Sequence, residues 1–369
     1  MVLRNYWWPL IWIFLFGAIS LVFISRREEI VLGKPKMRWG KLSAALLALP
    51  YAIWGGWRTN AMGDTTMYRL LFDQMPTGFE NFGAYLASRP KDKGYVVFEY
   101  LIKTLVSENS VVLFLIIAVI QIYLLVRVYR KYSENYWLSM FLFVASADYL
   151  GWVHNGMRQF IAVTIIFAAL PLLLRKQYIG MVLVVLFASL FHTSALVFLP
   201  FIFVVNGNAW NFRTMLFLVG IVVSVYFLDV VTGFISTALE DTVYEQDAVL
   251  MIQTVEDDGT NILRVLFYSM PAIFSLVFRK RIEAADDPMI NLCVNLSVVS
   301  AGFYLFSFFI SGILVGRIPI YFSLANYILI PWLIQELFVP DSALVIEGGL
   351  IAVYSFYYYY QVGHTWGLL

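Results

Sequence analysis

The sequence predicts an all-α, polytopic membrane protein. Hydrophobic residues occupy 61% of the 369 positions and charged residues only 13%, whereas soluble domains have about 45–50% and about 25%. Apolar stretches of about 17–25 residues recur along the chain, the length over which a helix crosses a bilayer with its backbone hydrogen bonds closed internally. Basic and acidic residues number 25 and 24, and this balance argues against nucleic acid as a partner.

The first apolar segment, residues 6–24, is predicted to be a retained transmembrane helix and not a signal peptide. Its apolar region is long, Arg26 and Arg27 follow it directly, and no small-residue cleavage site is evident. The single cysteine, Cys293, lies within another apolar segment, so an internal disulfide is excluded.

The orientation of the segments is predicted from the basic residues, which collect on the cytoplasmic side of a membrane. The linker of residues 26–41 contains six basic residues and two acidic ones, so it is predicted to be cytoplasmic, with the N-terminus outside. The direction of all later segments depends on residues 178–205, which the sequence FHTS (191–194) interrupts. We expect a hairpin of two short helices there, with His192 near its external tip. A single crossing would place the basic cluster 279–281 outside, against the rule.

This topology gives about twelve transmembrane helices in one integral membrane domain over residues 1–369. Residues 58–109 form a long external loop, in which Glu99 and Lys103 are four residues apart within the segment 94–106. That pattern is typical of an amphipathic helix lying in the membrane interface. Residues 231–261 form a second external loop, and its acidic stretch 240–258 contains no basic residue. The acids there lack the spacing of a cation-binding loop, so we expect no required metal.

Three arginines begin inward-going helices on the external side: Arg158 in HNGMRQF (154–160), Arg264 and Arg317. Each alone could contact lipid phosphates or the acidic loop. Together they suit a clamp for a lipid-linked pyrophosphate, because guanidinium donates two fixed hydrogen bonds and keeps its charge. Helix N-termini add partial positive charge at the same place. Because the motif contains no acidic residue, the partner of Arg158 is expected to be a phosphate of the substrate.

Such a clamp would stabilise the negative charge that develops when a sugar leaves its diphosphate. Transfer to a sugar hydroxyl also benefits from a base within hydrogen-bonding reach, and Asp64 in GDTTMY (63–68) and His192 are the candidates. Both have structural alternatives. Asp64 could cap a short external helix, and His192 could satisfy backbone groups at the hairpin tip.

Three stretches resemble a known family. HNGMRQFIAVTIIFAALPLLLRKQY (154–178), followed by FHTSALVFLP (191–200), resembles the signature region of the EpsG-like, Wzy-type polysaccharide polymerases. NAMGDTTMY (60–68) resembles the family's glycine–aspartate stretch with a tyrosine four residues after the acid, although many members have an extra small residue before the aspartate. GRIPIYF (316–322) resembles its late arginine with an aromatic pair following. The resemblance covers residues 58–322 in the family's order.

The resemblance implies a glycosyltransferase of the bacterial cytoplasmic membrane, multi-pass, with an active site that faces the exterior. Such enzymes join oligosaccharide repeat units carried on undecaprenyl diphosphate, and both donor and acceptor are lipid-linked. The resemblance implies no cofactor, a fold related to the GT-C type, and membrane lipid, a chain-length regulator and a flippase as further partners. The implied roles are catalysis by Asp64 and His192, pyrophosphate binding by Arg158, Arg317 and Gln159, with Arg264 added from the topology, and sugar binding by Asn155, Tyr68, His154 and Tyr321.

Three other functions remain as alternatives. A lipid-linked oligosaccharide flippase or other transporter should carry charges at mid-membrane and often a repeated half, and neither is evident here. An O-antigen ligase would use similar arginines with a different acceptor. A non-catalytic scaffold of an export complex would need none of them.

Overall fold

A computed structural model of the chain describes residues 5–239, 260–310 and 315–369. The predicted acidic stretch 240–258, with its question of metal binding, lies outside the described residues. The regular structure that is described is mostly helical.

A helix lies at every segment that was predicted to cross the membrane. The α-helices are α1 (Trp8–Phe23), α2 (Lys41–Gly56), α3 (Thr65–Asp73), α4 (Phe79–Ala87), α5 (Lys93–Leu105), α6 (Ser110–Tyr132), α7 (Tyr136–Ala145), α8 (Met157–Ala169), α9 (Pro171–Leu174), α10 (Tyr178–Ser189), α11 (Phe198–Val204), α12 (Phe212–Tyr226), α13 (Leu228–Leu239), α14 (Ile262–Val277), α15 (Arg279–Ala285), α16 (Pro288–Phe308), α17 (Ile320–Ser323), α18 (Asn326–Leu337) and α19 (Pro340–Tyr358). Short 3₁₀ and π-helical turns are Tyr149–Asn155, Thr193–Val197, Val315–Arg317 and Tyr359–Thr365.

Several of these helices are long and apolar enough to cross a membrane. Within the described ranges, three helical stretches meet both criteria: Ser110–Tyr132, Met157–Leu174 and Pro288–Phe308. Two bent pairs raise the number to five if each pair is one span: Ile262–Val277 with Arg279–Ala285, bent by 72°, and Val315–Ser323 with Asn326–Leu337, bent by 49°. A multi-pass membrane protein is therefore supported, while the number of twelve spans and their orientation stay predictions.

Asparagine and aspartate side chains determine where five of the longer helices begin. Each accepts a hydrogen bond from a backbone N–H in the first turn, a group that has no partner inside the helix. These capping residues are Asn109, Asn135, Asn211, Asn261 and Asp287.

The predicted cytoplasmic linker of residues 26–41 contains an antiparallel hairpin, which the all-α prediction did not include. Strand β1 (Arg26–Val31) pairs with β2 (Lys34–Trp39), and Leu32 and Gly33 connect them with φ of 51° and 80°. Positive φ at both residues is what a two-residue hairpin turn requires.

Ion pairs with the end of α6 stabilise this hairpin. Glu134 accepts from Lys36 Nζ at 2.7 Å and from Arg38 Nη1 at 3.0 Å, and Arg130 Nη1 lies 2.7 Å from Glu29. These partners are about a hundred residues apart in the chain, so no local pattern indicated the strands.

The chain packs as two compact units. The first comprises the described parts of Met1–Ala169, Val184–Ala195 and Pro331–Leu369, and the second those of Leu170–Leu183 and Leu196–Ile330. In the first unit, α2 packs closely on α6, because a Cβ at Gly55 would lie 2.5 Å from the Cβ of Ala118. Small residues at such contacts are typical of membrane helices. In the second unit, Pro288–Phe308 packs against α12 and α14.

The predicted external loop of residues 58–109 contains three helices, α3, α4 and α5. The helix α5 covers the predicted amphipathic segment, but the two charges expected on its polar face are buried. Glu99 is 9% exposed and Lys103 5% exposed. Lys103 Nζ donates to the carbonyl oxygens of Phe72 and Asp73 at the end of α3 and forms no ion pair with Glu99. The location of α5 in a membrane interface stays a prediction.

The predicted interruption of residues 178–205 is confirmed. The helix α10 ends at Ser189, and a 3₁₀ turn over Thr193–Val197 precedes α11. Whether the two halves form a hairpin across the membrane stays a prediction.

Candidate functional site

Two of the motif stretches meet in the first unit. Asn155 Oδ1 accepts a hydrogen bond from the backbone N–H of Asp64 at 2.9 Å, although 91 residues separate them. Gly63 has φ of +43°, and a Cβ there would lie 2.0 Å from the same oxygen. A side chain at position 63 would therefore break the contact, which explains the glycine before Asp64.

Asp64 lies at the N-cap position of α3, but its side chain makes no capping hydrogen bond and is exposed. The geometry gives no support to the capping alternative. Its role as a base stays a prediction.

Arg158 lies at the start of α8 among aromatic and acidic groups from α3 and α5. Its Nε donates to the Tyr68 hydroxyl at 3.3 Å, and its Nη1 lies 3.2 Å from Asp92 Oδ2. The guanidinium carbon is 5.5 Å from the ring centroid of Tyr68 and 5.7 Å from that of Tyr95. The Arg158 side chain nevertheless keeps 39% of its surface exposed, so one edge of the guanidinium is open.

Packing below the site positions this arginine. Met157, the preceding residue, is fully buried in a core cluster that also contains Phe114 and Tyr95. Gln121 on α6 donates to the Met157 carbonyl at 2.9 Å. The first turn of α8 is therefore attached to α6, and the backbone that carries Arg158 is held by this packing and by the hydrogen bond from Gln121.

Arg158 has an acidic partner outside its own motif, Asp92, which corrects the expectation that its partner is a substrate phosphate alone. Asp92 immediately precedes α5 in the left-handed conformation, with φ of 53°, and its side chain is 9% exposed. Its second oxygen, Oδ1, accepts from the backbone N–H of Thr193 at 3.2 Å and from the Thr193 hydroxyl at 3.4 Å. Sequence analysis missed Asp92 because it belongs to none of the three motif stretches. The available signal was an aspartate two residues before glycine at a helix start.

The turn that contains His192 contacts the residues around Arg158 through Asp92, which accepts hydrogen bonds from Thr193. His192 is half-buried, and its Nδ1 lies 2.7 Å from Ser194 Oγ. The carbonyl of Leu190 accepts from the Tyr95 N–H at 3.1 Å, and a Cβ at Gly94 would lie 2.5 Å from the Leu190 Cβ. The start of α5 therefore packs directly on this turn. The structure brings His192 to the element that orients Arg158.

Glu99 is a second group that sequence analysis did not single out for chemistry. Burial raises the pKa of Glu99 to about 7, although the positive charge of Arg158 acts in the opposite direction. A carboxyl with a pKa near neutrality can both accept and donate a proton at physiological pH. Its signal in the sequence was weak, because a glutamate four residues before a lysine is typical of a solvated helix face.

His154 and Gln159 flank Arg158 in the chain but are buried, at 0% and 3% exposure. The His154 ring packs on Tyr149 with centroids 5.1 Å apart. Burial lowers the pKa of His154, and the charge of Arg58 lowers it further, so the ring is neutral. A fully enclosed ring presents no surface to a sugar, and the predicted sugar contact of His154 gains no support.

The other predicted residues lie in the second unit. The guanidinium carbon of Arg264, near the start of α14, is 5.8 Å from the ring centroid of Tyr268 and 5.7 Å from that of Tyr304. Arg317 ends a short 3₁₀ helix and is exposed, whereas Tyr321 is buried at 3% exposure. The structure thus groups Asp64, Tyr68, Asn155 and Arg158 with the His192 turn in one unit. The convergence of Arg158 with Arg264 and Arg317 stays a prediction.

Comparisons with curated proteins and with solved structures give no match. The model of the EpsG family matches residues 41–365, a range that contains every residue grouped around Arg158. The match covers most of the chain, and its family is the one that the three motif stretches resemble. The chain belongs to the EpsG family, and this membership implies a membrane protein of exopolysaccharide biosynthesis.

Proposed function

We propose that this protein is a polysaccharide polymerase. It would join oligosaccharide repeat units carried on undecaprenyl diphosphate, at the outer face of a bacterial cytoplasmic membrane. The observation that carries the proposal is the state of Arg158. Tyr68 and Asp92 orient its guanidinium from two sides, and a large part of the side chain remains exposed.

The open edge of Arg158 suits a phosphate group. Within the described residues, Nε and Nη1 have protein partners and Nη2 has none. A guanidinium that is already oriented loses little side-chain freedom when it donates to a further oxygen, and it keeps its charge at any physiological pH. Such a donor would stabilise the negative charge that grows on the carrier diphosphate as the glycosidic bond breaks.

The proposed reaction moves the growing chain from its carrier to a hydroxyl of the incoming unit. The hydroxyl oxygen forms a bond to the anomeric carbon, the bond from that carbon to the diphosphate oxygen breaks, and the carrier diphosphate leaves with the electron pair. The hydroxyl proton passes to a base. Asp64 and His192 are the proposed bases, and Tyr68 and Asn155 are the proposed sugar contacts.

Replacement of Arg158 by lysine tests this proposal. Lysine keeps the positive charge but cannot donate in a plane to Tyr68, Asp92 and a phosphate together. We predict that cells with Arg158→Lys lose long polymer while the membrane level of the protein stays normal, as measured by polysaccharide gels and immunoblotting.

Arg213→Lys is the matched control. Arg213 is an exposed arginine in the second unit that donates to the carbonyl of Phe203, and its replacement should leave the polymer ladder unchanged. Wild-type chain lengths in the Arg158→Lys strain would contradict the proposal. Deletion of the gene should collapse the ladder to a single repeat unit, an outcome that a flippase or a ligase does not produce.

A further inference from the structure

Two arginines of the first unit, Arg58 and Arg69, have no acidic partner within the described residues. Arg58 follows α2 and is 3% exposed, and Arg69 lies on α3 and is half-buried. Buried cations are normally paired, because removing an unpaired charge from water is costly. The lack of an acidic partner for these two arginines therefore needs an explanation.

Arg58 uses only part of its guanidinium to bind protein. Its Nε donates to the Gly55 carbonyl at 2.6 Å, and its Nη1 donates to the carbonyls of Val153 and His154, both at 2.9 Å. Its Nη2 is buried and has no hydrogen-bond partner. The carbonyl bonds attach Arg58 to two elements, and one donor nitrogen is left over.

Arg69 leaves a second donor unused beside it. Its Nη2 donates to the Arg58 carbonyl at 3.3 Å, whereas its Nε is buried without a partner. The guanidinium carbons of Arg58 and Arg69 lie 4.5 Å and 5.7 Å from the centroid of one ring, that of Phe114. Both ring nitrogens of the enclosed His154 also lack partners. The Phe114 ring is therefore contacted by two positive charges, and each of these guanidinium groups has one nitrogen without a hydrogen-bond partner.

Among the residues that the structure describes, neither arginine forms an ion pair with a carboxylate. Burial lowers the pKa of Arg58 to about 10, the nearby tyrosines oppose this, and the charge of Arg69 lowers it further. Two of those tyrosines, Tyr68 and Tyr95, are also the ones whose rings contact Arg158. The Arg58–Arg69 pair therefore lies next to the Arg158 group and differs from it in having no carboxylate such as Asp92.

We propose that Arg58 and Arg69 form a second anion subsite, which binds the diphosphate of a second lipid-linked substrate. This inference rests on the proposed polymerase function, because joining two lipid-linked units brings two diphosphates to one enzyme. Phosphate oxygens accept from guanidinium donors at short range and compensate the like charges of the pair. Arg69 is half-buried, so part of its side chain is exposed beside the buried Arg58.

The subsite is tested by counting bound diphosphates. The full-length protein, in nanodiscs of neutral phosphatidylcholine, is titrated with farnesyl diphosphate in a calorimeter. We expect two equivalents for the wild type and one for Arg69→Gln, with at least a tenfold loss of affinity at the missing site. Arg158→Gln should lose the other equivalent. Arg213→Gln, which also removes an arginine that donates to a carbonyl, should bind two.

Thermal stability separates an anion subsite from a purely structural arginine pair. Arg69→Gln removes a like charge next to Arg58, so its ligand-free midpoint should equal or exceed that of the wild type. Inorganic pyrophosphate should raise the midpoint of the wild type by more than that of Arg69→Gln, which keeps only the Arg158 site. Two unchanged equivalents in Arg69→Gln would overturn the proposal. A single wild-type equivalent that depends on Arg158 alone would overturn it too.

Two further outcomes would distinguish this subsite from the site proposed at Arg158 and from a site for a lipid headgroup. A single equivalent that depends on Arg69 and not on Arg158 would support this subsite and contradict the role proposed for Arg158. Loss of the Arg69-dependent equivalent in nanodiscs of anionic phosphatidylglycerol would show that a lipid headgroup occupies the pair, which overturns the assignment to a second substrate.

Discussion

Asp92 determines how Arg158 is presented to a ligand. One carboxylate oxygen contacts the guanidinium at 3.2 Å and the other accepts from Thr193, so a single side chain connects α8, α5 and the turn after α10. A carboxylate beside a guanidinium lowers its net attraction for anions but fixes its direction. Orientation of this kind is what a group that must meet a transition state requires.

Glu99 makes stability depend on pH in a direction opposite to that of an acid whose pKa is lowered by an ion pair. Its folded pKa of about 7 lies above the ordinary 4.5, so the folded chain binds this proton more tightly than the unfolded chain. The stabilisation is fully present below about pH 4.5 and is lost as pH rises through about 7, by up to about 1.4 kcal/mol per pH unit. We predict that the unfolding midpoint of the purified protein falls between pH 5 and pH 8, and that Glu99→Gln removes most of this slope.

Glu80→Gln is the control for this prediction. Glu80 is an exposed acid on α4, and its replacement should preserve the slope. An unchanged slope in Glu99→Gln would show that another group causes the pH dependence.

The helix α5 connects the parts of the predicted external loop. Its first residues pack on the Leu190 turn, and Lys103 near its end donates to the last carbonyls of α3. Between them Glu99 and Tyr95 face Arg158. An element that makes contacts at both ends transmits a disturbance at either end to the site between them.

Gly94→Ala tests this arrangement. The new Cβ would lie 2.5 Å from the Leu190 Cβ and 2.8 Å from its carbonyl oxygen, so α5 must move away from the turn and weaken the hydrogen bonds of Asp92 to Thr193. We predict a loss of about 1–3 kcal/mol in the free energy of unfolding, and shorter polymer in cells. Denaturant titration and polysaccharide gels measure the two effects.

Gly83→Ala on α4 is matched to this change, because a Cβ there meets no atom within 4 Å. It should stabilise its helix by about 0.5–1 kcal/mol and leave polymer length unchanged. Equal behaviour of the two variants would show that the contact with Leu190 has no influence.

At the scale of the whole molecule, the number of crossings depends on residues 178–205. A hairpin there leaves the segments before and after it on the same side of the membrane. A single crossing puts them on opposite sides. The charge distribution favours the hairpin, since a single crossing would place the basic cluster 279–281 outside.

Single-cysteine labelling decides between the two topologies. The chain has only one cysteine, the buried Cys293, and Cys293→Ala provides the background. Gln177, Asn208 and Thr66 are exposed in the structure. In intact cells, a membrane-impermeant maleimide should label Thr66→Cys and should fail to label Gln177→Cys and Asn208→Cys. Labelling of Asn208→Cys alongside protection of Gln177→Cys would establish a single crossing.

Composition and apolar run length are enough to predict the class of protein, the long apolar helices and the break near His192. Apolar runs in a membrane must close their backbone hydrogen bonds locally, so composition and run length suffice to predict a helix. The motif stretches also named Asp64, Tyr68, Asn155 and Arg158 among the candidate site residues, and the structure brings Asp64 into contact with Asn155 and Tyr68 into contact with Arg158.

Which side chains meet, and which are buried, could not be read from the sequence. Asp92 and Arg158 are 66 residues apart, and nothing in either local pattern indicates the pair. Glu99 and Lys103 have the spacing of a solvated helix face and are buried nonetheless, and the hairpin of residues 26–39 depends on ion pairs with the end of α6. The physical reason is that backbone conformation responds to neighbours in the chain, whereas burial and charge pairing depend on neighbours in space.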